Sequence, residues 1–235
     1  MGVKNMFIIH RRTKLGREDY GGIRSKFYFS YGNYLDKRKM GIGPLIAINI
    51  DQIDPLQGFG DHQHRDIEII TYVLKGALTH QDHIGNKVTL QERGVHVISS
   101  GSGLTHSEFN ETDEITEAVQ IWIEPKEKGN DPSYTYQNFT QEESLNQVLK
   151  ITSDSSRDGI LKIDQDIDIF ILDLDEEHYK PFKMYGNSVL YIVQLEGESY
   201  MNGNQIYAKD AVEATEDVHI QPITHSRFLI LEIHD

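Results

Sequence analysis

The chain has 235 residues, no cysteine and a formal net charge of −14. This length fits one large β-domain or two domains of about 100–130 residues each. No apolar run reaches the roughly 20 residues that a transmembrane helix needs, so we expect no membrane span. A chain without cysteine forms neither disulfides nor thiolate ligands, and any metal site must therefore use histidine and carboxylate side chains.

Charge is unevenly distributed along the chain. Residues 1–40 carry ten lysines or arginines against three carboxylates, a net charge of +7, which leaves −21 for the remainder. An acidic body repels nucleic acid and anionic membranes, because affinity for both depends on neutralising phosphate. We expect no direct partner of either kind, and we expect the basic segment to pack on the acidic body. The N-terminus shows no cleavable signal, which together with the missing cysteines favours a cytoplasmic protein.

Short predicted strands, broken by turn residues, run along the chain. Residues 43–50 are rich in branched apolar side chains and are predicted to form a buried strand. Residues 67–74 and 118–123 are strand-like because of their β-branched and aromatic content. Between them, Gly85-Asn86 separates two short runs as a hairpin turn would. This spacing is typical of a β-sandwich or a β-barrel.

The second half of the chain weakly repeats the first. Val-Leu-Lys-Gly at 73–76 corresponds to Gln-Leu-Glu-Gly at 194–197, which indicates two similar β-domains in tandem. Residues 124–138 contain two prolines, a glycine and several charges, so a boundary is predicted there. Residues 141–149 are predicted to form one or two helical turns. We therefore predict an all-β chain with little helix and with domains at residues 1–135 and 136–235.

Two pairs of potential metal ligands flank this first set of strands. His62 and His64 are spaced i, i+2, and so are His106 and Glu108. Side chains at i and i+2 of a strand share one face, so two neighbouring strands could present three imidazoles and one carboxylate to a common point. Such donors suit a divalent first-row transition metal, with positions left open for a substrate or O₂.

The other histidines of this region lack such a pairing. His80, His83 and His96 are expected to be surface or hydrogen-bonded residues. The repeat supplies no ligand pair in the second half, where His225 stands alone, so the second domain is predicted to hold no metal. Trp122 is expected in the core.

The ligand motifs resemble those of a known family. Three segments carry the resemblance: Gly-Phe-Gly-Asp-His-Gln-His-Arg at 58–65, Tyr-Val-Leu-Lys-Gly at 72–76 and Gly-Ser-Gly-Leu-Thr-His-Ser-Glu at 101–108. They are similar to the two sequence blocks of cupins and most similar to pirins, which are two-domain cupins that bind a metal in the N-terminal domain only. The resemblance implies a bicupin, with two cupin-type β-barrel domains of which the second is degenerate.

The resemblance also implies a ligand set. His62, His64, His106 and Glu108 would hold one divalent transition metal, with Fe(II) as the first choice. Mn, Co, Ni, Cu or Zn would suit the same donors. The general cupin pattern takes its carboxylate from the position of Glu68, whereas pirin-like proteins use the position of Glu108. Glu68 would then face the site and orient a ligand imidazole.

Two functions of different classes follow from the resemblance. Some pirin-like proteins are quercetin 2,3-dioxygenases, which open the central flavonol ring with O₂ and release carbon monoxide. In that case the substrate is a flavonol-like small molecule and Glu108 is the catalytic base that takes the hydroxyl proton. Others are redox-sensing cofactors of transcription factors, and a net charge of −14 would then require a protein partner rather than DNA. Open metal positions serve both functions.

Overall fold

The structure is a computed structural model that describes residues 5–154 and 160–234. The strands before residue 140 are β1 (Phe7–His10), β2 (Gly16–Asp19), β3 (Ile23–Phe27), β4 (Leu45–Ile53), β5 (Gly58–His64), β6 (Glu68–Lys75), β7 (Ala77–Asp82), β8 (Lys87–Gln91), β9 (Gly94–Ser99), β10 (Leu104–Phe109), β11 (Thr116–Ile123) and β12 (Ser133–Asn138). The later strands are β13 (Leu149–Ser153), β14 (Leu161–Lys162), β15 (Ile167–Leu174), β16 (Lys180–Phe182), β17 (Val189–Glu196), β18 (Glu198–Met201), β19 (Asn204–Tyr207), β20 (Ala211–Ala214), β21 (Val218–Pro222) and β22 (Ser226–Ile233).

Helix is scarce in the described residues. It comprises the single turn α1 (Gln141–Ser144) and a 3₁₀ turn at Arg12–Lys14. The predicted all-β fold with little helix is therefore confirmed. No helix in the described part of the chain is long and apolar enough to span a bilayer. The expectation about a signal sequence concerns in part residues 1–4, which lie outside the described residues.

The chain forms two compact units whose sequence ranges interleave. The N-terminal unit comprises Gly16–Phe139 and Leu161–Gln165, and the C-terminal unit falls within Met1–Leu15, Thr140–Ile160 and Asp166–Asp235. Strand β1 belongs to the C-terminal unit because it pairs with β20. The division at residues 135 and 136 stays a prediction, and a single cut of that kind leaves β1 apart from the strands it pairs with.

Each unit contains two antiparallel sheets with the same strand order. In the N-terminal unit the large sheet runs β12-β9-β6-β11-β4-β3-β2 and the small sheet β5-β10-β7-β8. In the C-terminal unit the corresponding orders are β1-β20-β17-β22-β15-β13 and β16-β21-β18-β19. The internal duplication that the sequence indicated is thus present in the topology, with β1 in the place that β12 takes in the first unit.

A row of polar side chains crosses the inner face of the large N-terminal sheet. Register pairing places His96 of β9 beside Thr71 of β6, Thr71 beside Gln120 of β11, and Gln120 beside Asn49 of β4. We call these four residues the polar row. Two residues along the strands from this row, an apolar cluster that includes Val73 lies in one direction. A second cluster, which includes Ile69, lies in the other direction. The polar row therefore runs between two apolar clusters.

The matching row of the C-terminal unit is apolar. There Val212, Ile192, Ile230 and Phe170 are register neighbours and belong to one buried cluster. Apolar burial is favourable at about 25 cal/mol per Å², whereas buried polar groups are tolerated only when they are hydrogen-bonded. The same sheet thus supports a closed core in one unit and a polar site in the other.

His10 and Arg11 of the basic N-terminal segment contact acidic residues of the C-terminal unit. The guanidinium of Arg11 donates 2.8 Å hydrogen bonds to Oδ2 of Asp210 and to the carbonyl oxygen of Gln205. Next to it, Nε2 of His10 lies 3.1 Å from a carboxylate oxygen of Glu213. Since Asp210 is buried, its pairing with Arg11 compensates a charge that would otherwise be costly to bury.

We predict that Gly101 is required by the backbone of the turn before β10. Its φ is +44°, and a Cβ there would lie 2.1 Å from the carbonyl oxygen of Asn130. Gly101→Ala should therefore lower the free energy of unfolding by about 2–4 kcal/mol in urea denaturation. Gly129→Ala is the matched control, because Gly129 has a φ of +77° but open space around it, and it should cost about 1 kcal/mol. Equal losses in the two variants would contradict a steric role.

We also predict a pH dependence of stability from Asp51, a buried residue of β4. Burial raises the pKa of its carboxyl to about 7, although the Ser25 hydroxyl acts in the opposite direction. Between pH 4 and 7 the unfolded chain gives up this proton and the folded chain keeps it, so stability falls as pH rises through that window. Asp51→Asn removes this effect. Between pH 4 and pH 8, the free energy of unfolding of the variant should therefore rise by on the order of 3 kcal/mol relative to that of the native protein.

The measurement for Asp51 is urea denaturation of both metal-free proteins at pH 4 and pH 8. Other titrating groups are common to both proteins and cancel in the difference. A difference that is constant with pH would show that Asp51 is ionised in the folded state throughout this range.

Candidate metal centre

Three of the predicted ligands converge on one face of the small N-terminal sheet. Strands β5 and β10 are antiparallel neighbours, and their register places His106 directly opposite His62. His64 lies two residues along β5 on the same face. The ring centroids are 4.4 Å apart for His62 and His106, 4.8 Å for His62 and His64, and 5.1 Å for His64 and His106. Their potential ligand nitrogens all lie within 4.8 Å of one another.

These imidazoles are held in the form that binds metals. Burial lowers the pKa of His106 to about 3 and that of His64 to about 4, and only a neutral imidazole can ligate. Nδ1 of His62 lies 2.8 Å from the carbonyl oxygen of Gly60. A carbonyl oxygen can only accept, so Nδ1 carries the proton and Nε2 keeps its lone pair. The hydrogen bond thereby selects the tautomer that a ligand needs.

A chain of buried side chains fixes the tautomer of His106 in the same way. Asp82 accepts from Nε2 of His80 at 3.0 Å, and burial lowers the pKa of His80. A neutral His80 then offers its Nδ1 as an acceptor for Nδ1 of His106, 3.4 Å away. Nε2 of His106 is left with a lone pair, and it is buried without a hydrogen-bond partner among the described residues. An unpaired buried nitrogen costs about 1–3 kcal/mol, which a bound metal ion would offset.

Glu108 is held mainly by the polar row. Its Oε2 accepts a 2.7 Å hydrogen bond from the amide of Gln120, and its Oε1 accepts a 3.3 Å hydrogen bond from the Thr71 hydroxyl. Nε2 of His96 lies 3.2 Å from the same Oε1. Burial by itself would raise the pKa of Glu108, but His96, His106 and His80 together outweigh it and hold that pKa below its ordinary range. The carboxylate is therefore ionised at neutral pH.

The position of Glu108 differs from that of the three histidines. Its nearest group of potential ligand atoms is formed with His80 and His106, not with His62 and His64. It nevertheless lines the same cavity as His62 and His64. Three of the four residues proposed from the sequence thus converge, and the fourth, two residues beyond His106 on β10, is hydrogen-bonded to the polar row. The four-residue ligand set stays a prediction.

A cavity of about 450 Å³ opens beside the imidazoles. We call its ring-bearing side the aromatic wall, which comprises Tyr20, Phe27, Tyr31, Phe59 and Trp122. Trp122, expected in the core, packs against an apolar core cluster and also lines the cavity. Its indole is half-buried, packs edge-on against the His64 ring with centroids 4.9 Å apart, and donates to Oε1 of Gln120 at 2.8 Å. A volume of this size is in the range of small-molecule sites.

Glu68 does not have the role expected of it. Its Oε2 accepts from the Ser99 hydroxyl at 2.8 Å and from the backbone N–H of Asp164 at 3.4 Å, and it lines a different cavity. The even spacing from His64 is misleading because β5 ends at His64 and β6 begins at Glu68, so the two residues do not share one continuous strand.

His80 and His96 contact candidate ligands, a role that the sequence did not indicate for them. Both are completely buried, and they contact His106 and Glu108 respectively. The i, i+2 spacing of His80 and Asp82 was the signal that could have pointed to the first of them. His83, by contrast, is exposed, and its ring accepts a backbone hydrogen bond at 3.1 Å.

The C-terminal unit offers a weaker cluster. His225 is exposed and its Nδ1 lies 3.0 Å from a carboxylate oxygen of Asp175. Asp168, Glu232 and His234 could in principle hold a cation. The ammonium of Lys150 lies 2.5 Å from Oδ2 of Asp168, however, and already compensates that carboxylate. The lack of a metal in this unit stays a prediction.

Comparison with known proteins agrees with these features. A family model described as Pirin matches residues 9–123, and one described as the quercetinase C-terminal cupin domain matches residues 150–233. A quercetin 2,3-dioxygenase of Escherichia coli K12 is 32% identical over 231 residues, covering 97% of this chain and 99% of the relative. A pirin-like protein of Caulobacter vibrioides is 37% identical over 198 residues, 84% of this chain and 85% of its own length.

The fold is shared with solved structures as well. The bacterial pirin YhhW from Escherichia coli, crystallised in complex with nickel(II), superposes with a TM-score of 0.91 at 31% identity, covering 97% of this chain and 99% of that one. A second crystal structure of YhhW gives a TM-score of 0.92, with coverage of 97% and 98%. The shared strand order, the histidine cluster and full-length similarity together lead to one conclusion. The chain belongs to the pirin family of two-domain cupins.

Proposed function

We propose that this protein is a metal-dependent dioxygenase that opens the central ring of flavonols with O₂. The observation that carries the proposal is the convergence of three imidazoles at the edge of a cavity with an aromatic wall. Flat phenolic molecules suit such a wall, because aromatic rings stack and meet edge to face. The quercetin 2,3-dioxygenase name of a relative similar over its full length supports the same activity.

The ligand set of the proposal is His62, His64 and His106, with Glu108 completing it or standing slightly apart. The unpaired Nε2 of His106 and the tautomer of His62 fit a divalent first-row metal. When bound, such a metal supplies Lewis acidity and open positions for substrate and O₂. Fe(II) is our first choice, and the nickel complex of a related pirin supports nickel as an alternative.

Glu108 would serve as the base for the flavonol 3-hydroxyl. It is already ionised, and it lines the cavity in which the substrate would lie. Gln120, Thr71 and His96 hold it in place, so the proton would arrive at an oriented carboxylate. The aromatic wall would exclude water from the reacting ring and orient it toward the imidazoles.

The overall reaction balances without a further reductant. Both atoms of O₂ enter the organic product, two carbon–carbon bonds of the central ring break, and one carbon leaves as carbon monoxide. The four electrons that O₂ accepts come from the flavonol itself. No partner protein is needed for this chemistry.

We predict one metal ion per chain, bound by the N-terminal unit. His106→Ala should lose the metal, because it deletes the buried unpaired nitrogen. His225→Ala is the control and should keep it, since that histidine is exposed in the other unit. The measurement is elemental analysis after reconstitution and desalting.

Two results would contradict the metal assignment. Retention of metal by His106→Ala would show that the imidazole cluster is not the site. A second equivalent that disappears in His234→Ala would locate another site in the C-terminal unit.

We further predict that Glu108 matters more for turnover than for metal binding. Glu108→Gln keeps the size of the side chain but removes its basicity, so flavonol consumption should fall by about 10²–10⁴-fold. Metal content should be largely retained, because three histidines form a stable site. Glu111→Gln is the matched control, since Glu111 is an exposed carboxylate three residues along the chain. Native rates in metal-loaded Glu108→Gln would rule out Glu108 as the base.

The alternative function is a redox-sensing binding role of the pirin type. It takes precedence if the native protein, loaded in turn with Fe, Mn, Co, Ni and Cu, never consumes flavonol in the presence of O₂. The assay follows the loss of flavonol absorbance, and each preparation is checked for metal content beforehand.

A further inference from the structure

The end of the polar row carries an unused hydrogen-bond acceptor. Asn49 is 3% exposed, and its Oδ1 has no hydrogen-bond partner in the described part of the chain. Burial of an unpaired amide oxygen is unfavourable. Asn49 also lines the cavity beside the imidazoles.

The register neighbours of Asn49 direct their polar groups elsewhere. Across the sheet on one side stands Gln120, whose amide nitrogen donates to Glu108 and whose carbonyl oxygen accepts from Trp122. On the other side stands Phe27, which is apolar. Within the described residues, the protein therefore leaves this acceptor without a donor.

A second polar pair lies beside it on the same face. Asp51 is two residues along β4 from Asn49, and the Ser25 hydroxyl on β3 donates to its Oδ1. Asp51 and Ser25 line the same cavity. Burial raises the pKa of Asp51 to about 7, so near neutral pH this carboxyl can donate as well as accept.

These features define the kind of group that fits. An unpaired acceptor requires a donor on the ligand, and the carboxyl groups of Asp51 and Glu108, which line the same cavity, disfavour an anionic group. The surrounding aromatic wall requires a flat, ring-bearing ligand. A phenolic hydroxyl meets all three conditions, whereas a carboxylate or a phosphate does not.

We propose that Asn49, together with Asp51 and Ser25, forms a subsite that binds a ring hydroxyl of an aromatic ligand, distinct from the oxygens presented to the three imidazoles. This subsite rests on the proposed function for the class of ligand. It makes Asn49 a specificity-determining residue that favours polyhydroxylated flavonols over flavonols that carry only the 3-hydroxyl.

The test compares two probes and one apolar variant. Quercetin carries hydroxyls on both outer ring systems, and 3-hydroxyflavone carries none there. Binding of each is measured by titration to metal-loaded protein under anaerobic conditions, so that no turnover occurs. Asn49→Leu should lower the affinity for quercetin about tenfold, the size of one hydrogen bond, and leave that for 3-hydroxyflavone unchanged. The change in the ratio of the two affinities is the quantity of interest.

Gln52→Leu is the matched control. Gln52 lies on the same strand, but alternation places its side chain on the opposite face from Asn49 and Asp51, and it does not line this cavity. It should leave both affinities unchanged. Asn49→Leu should fold at least as stably as the native protein, because it removes an unpaired buried oxygen, and thermal denaturation checks this.

Three results would overturn the subsite: equal losses for both probes, no loss for either, or no binding of quercetin to the native protein. Flavonol consumption in air is measured separately on the native protein. If the native protein turns over flavonol but Asn49→Leu has no selective effect, the subsite is contradicted and the proposed activity stands. If Asn49→Leu has a selective effect but the native protein shows no turnover with any of the metals, the subsite stands and the dioxygenase activity is contradicted.

Discussion

A buried carboxylate links the two sheets of the N-terminal unit. Glu108 projects from β10, and residues of three strands of the facing sheet contact its two oxygens. A buried charge is tolerated only when such partners surround it, because burial removes its hydration. Removing any one partner would expose the charge to the apolar clusters on either side of the row. The polar row is therefore a structural requirement of Glu108 as well as the floor of the site.

The C-terminal unit shows what the same topology does without this carboxylate. Its strand order is the same, but the corresponding row is Val212, Ile192, Ile230 and Phe170, all buried. Four apolar side chains pack by themselves and need no hydrogen-bond partners. One repeat of a duplicated fold thus has the interior of a structural core, while the other keeps a polar interior beside its cavity. The difference lies in a few side chains and not in the backbone.

The cavity separates into two chemical regions. On one side, the imidazoles of His62, His64 and His106 present nitrogen lone pairs, which a metal ion or another electron-poor partner can accept. On the other side, Asn49 and Asp51 present oxygens close to the end of the polar row. Gln120 lies between them, since it pairs with Asn49 in register and binds Glu108 directly. A ligand that spans the cavity would meet both regions at once.

The sequence by itself determined the local features. Alternation within a strand fixes which side chains share a face, so the pairing of His62 with His64 was readable without a structure. The strand segments, the hairpin at Gly85 and the internal repeat were also readable, from residue composition, turn residues and repeated motifs. A resemblance of motifs then indicated the family, and full-length similarity confirmed it.

Only the tertiary structure decided which residues complete the site. Asn49, Thr71, His96 and Gln120 are far apart in sequence and meet because the register of four strands aligns them. Register across a sheet depends on every strand between its ends, and no local period of the sequence encodes it. The placement of β1 in the C-terminal unit and the exposure of Trp122 to the cavity arise in the same way. Local alternation specified the ligand pairs, and non-local pairing specified their surroundings.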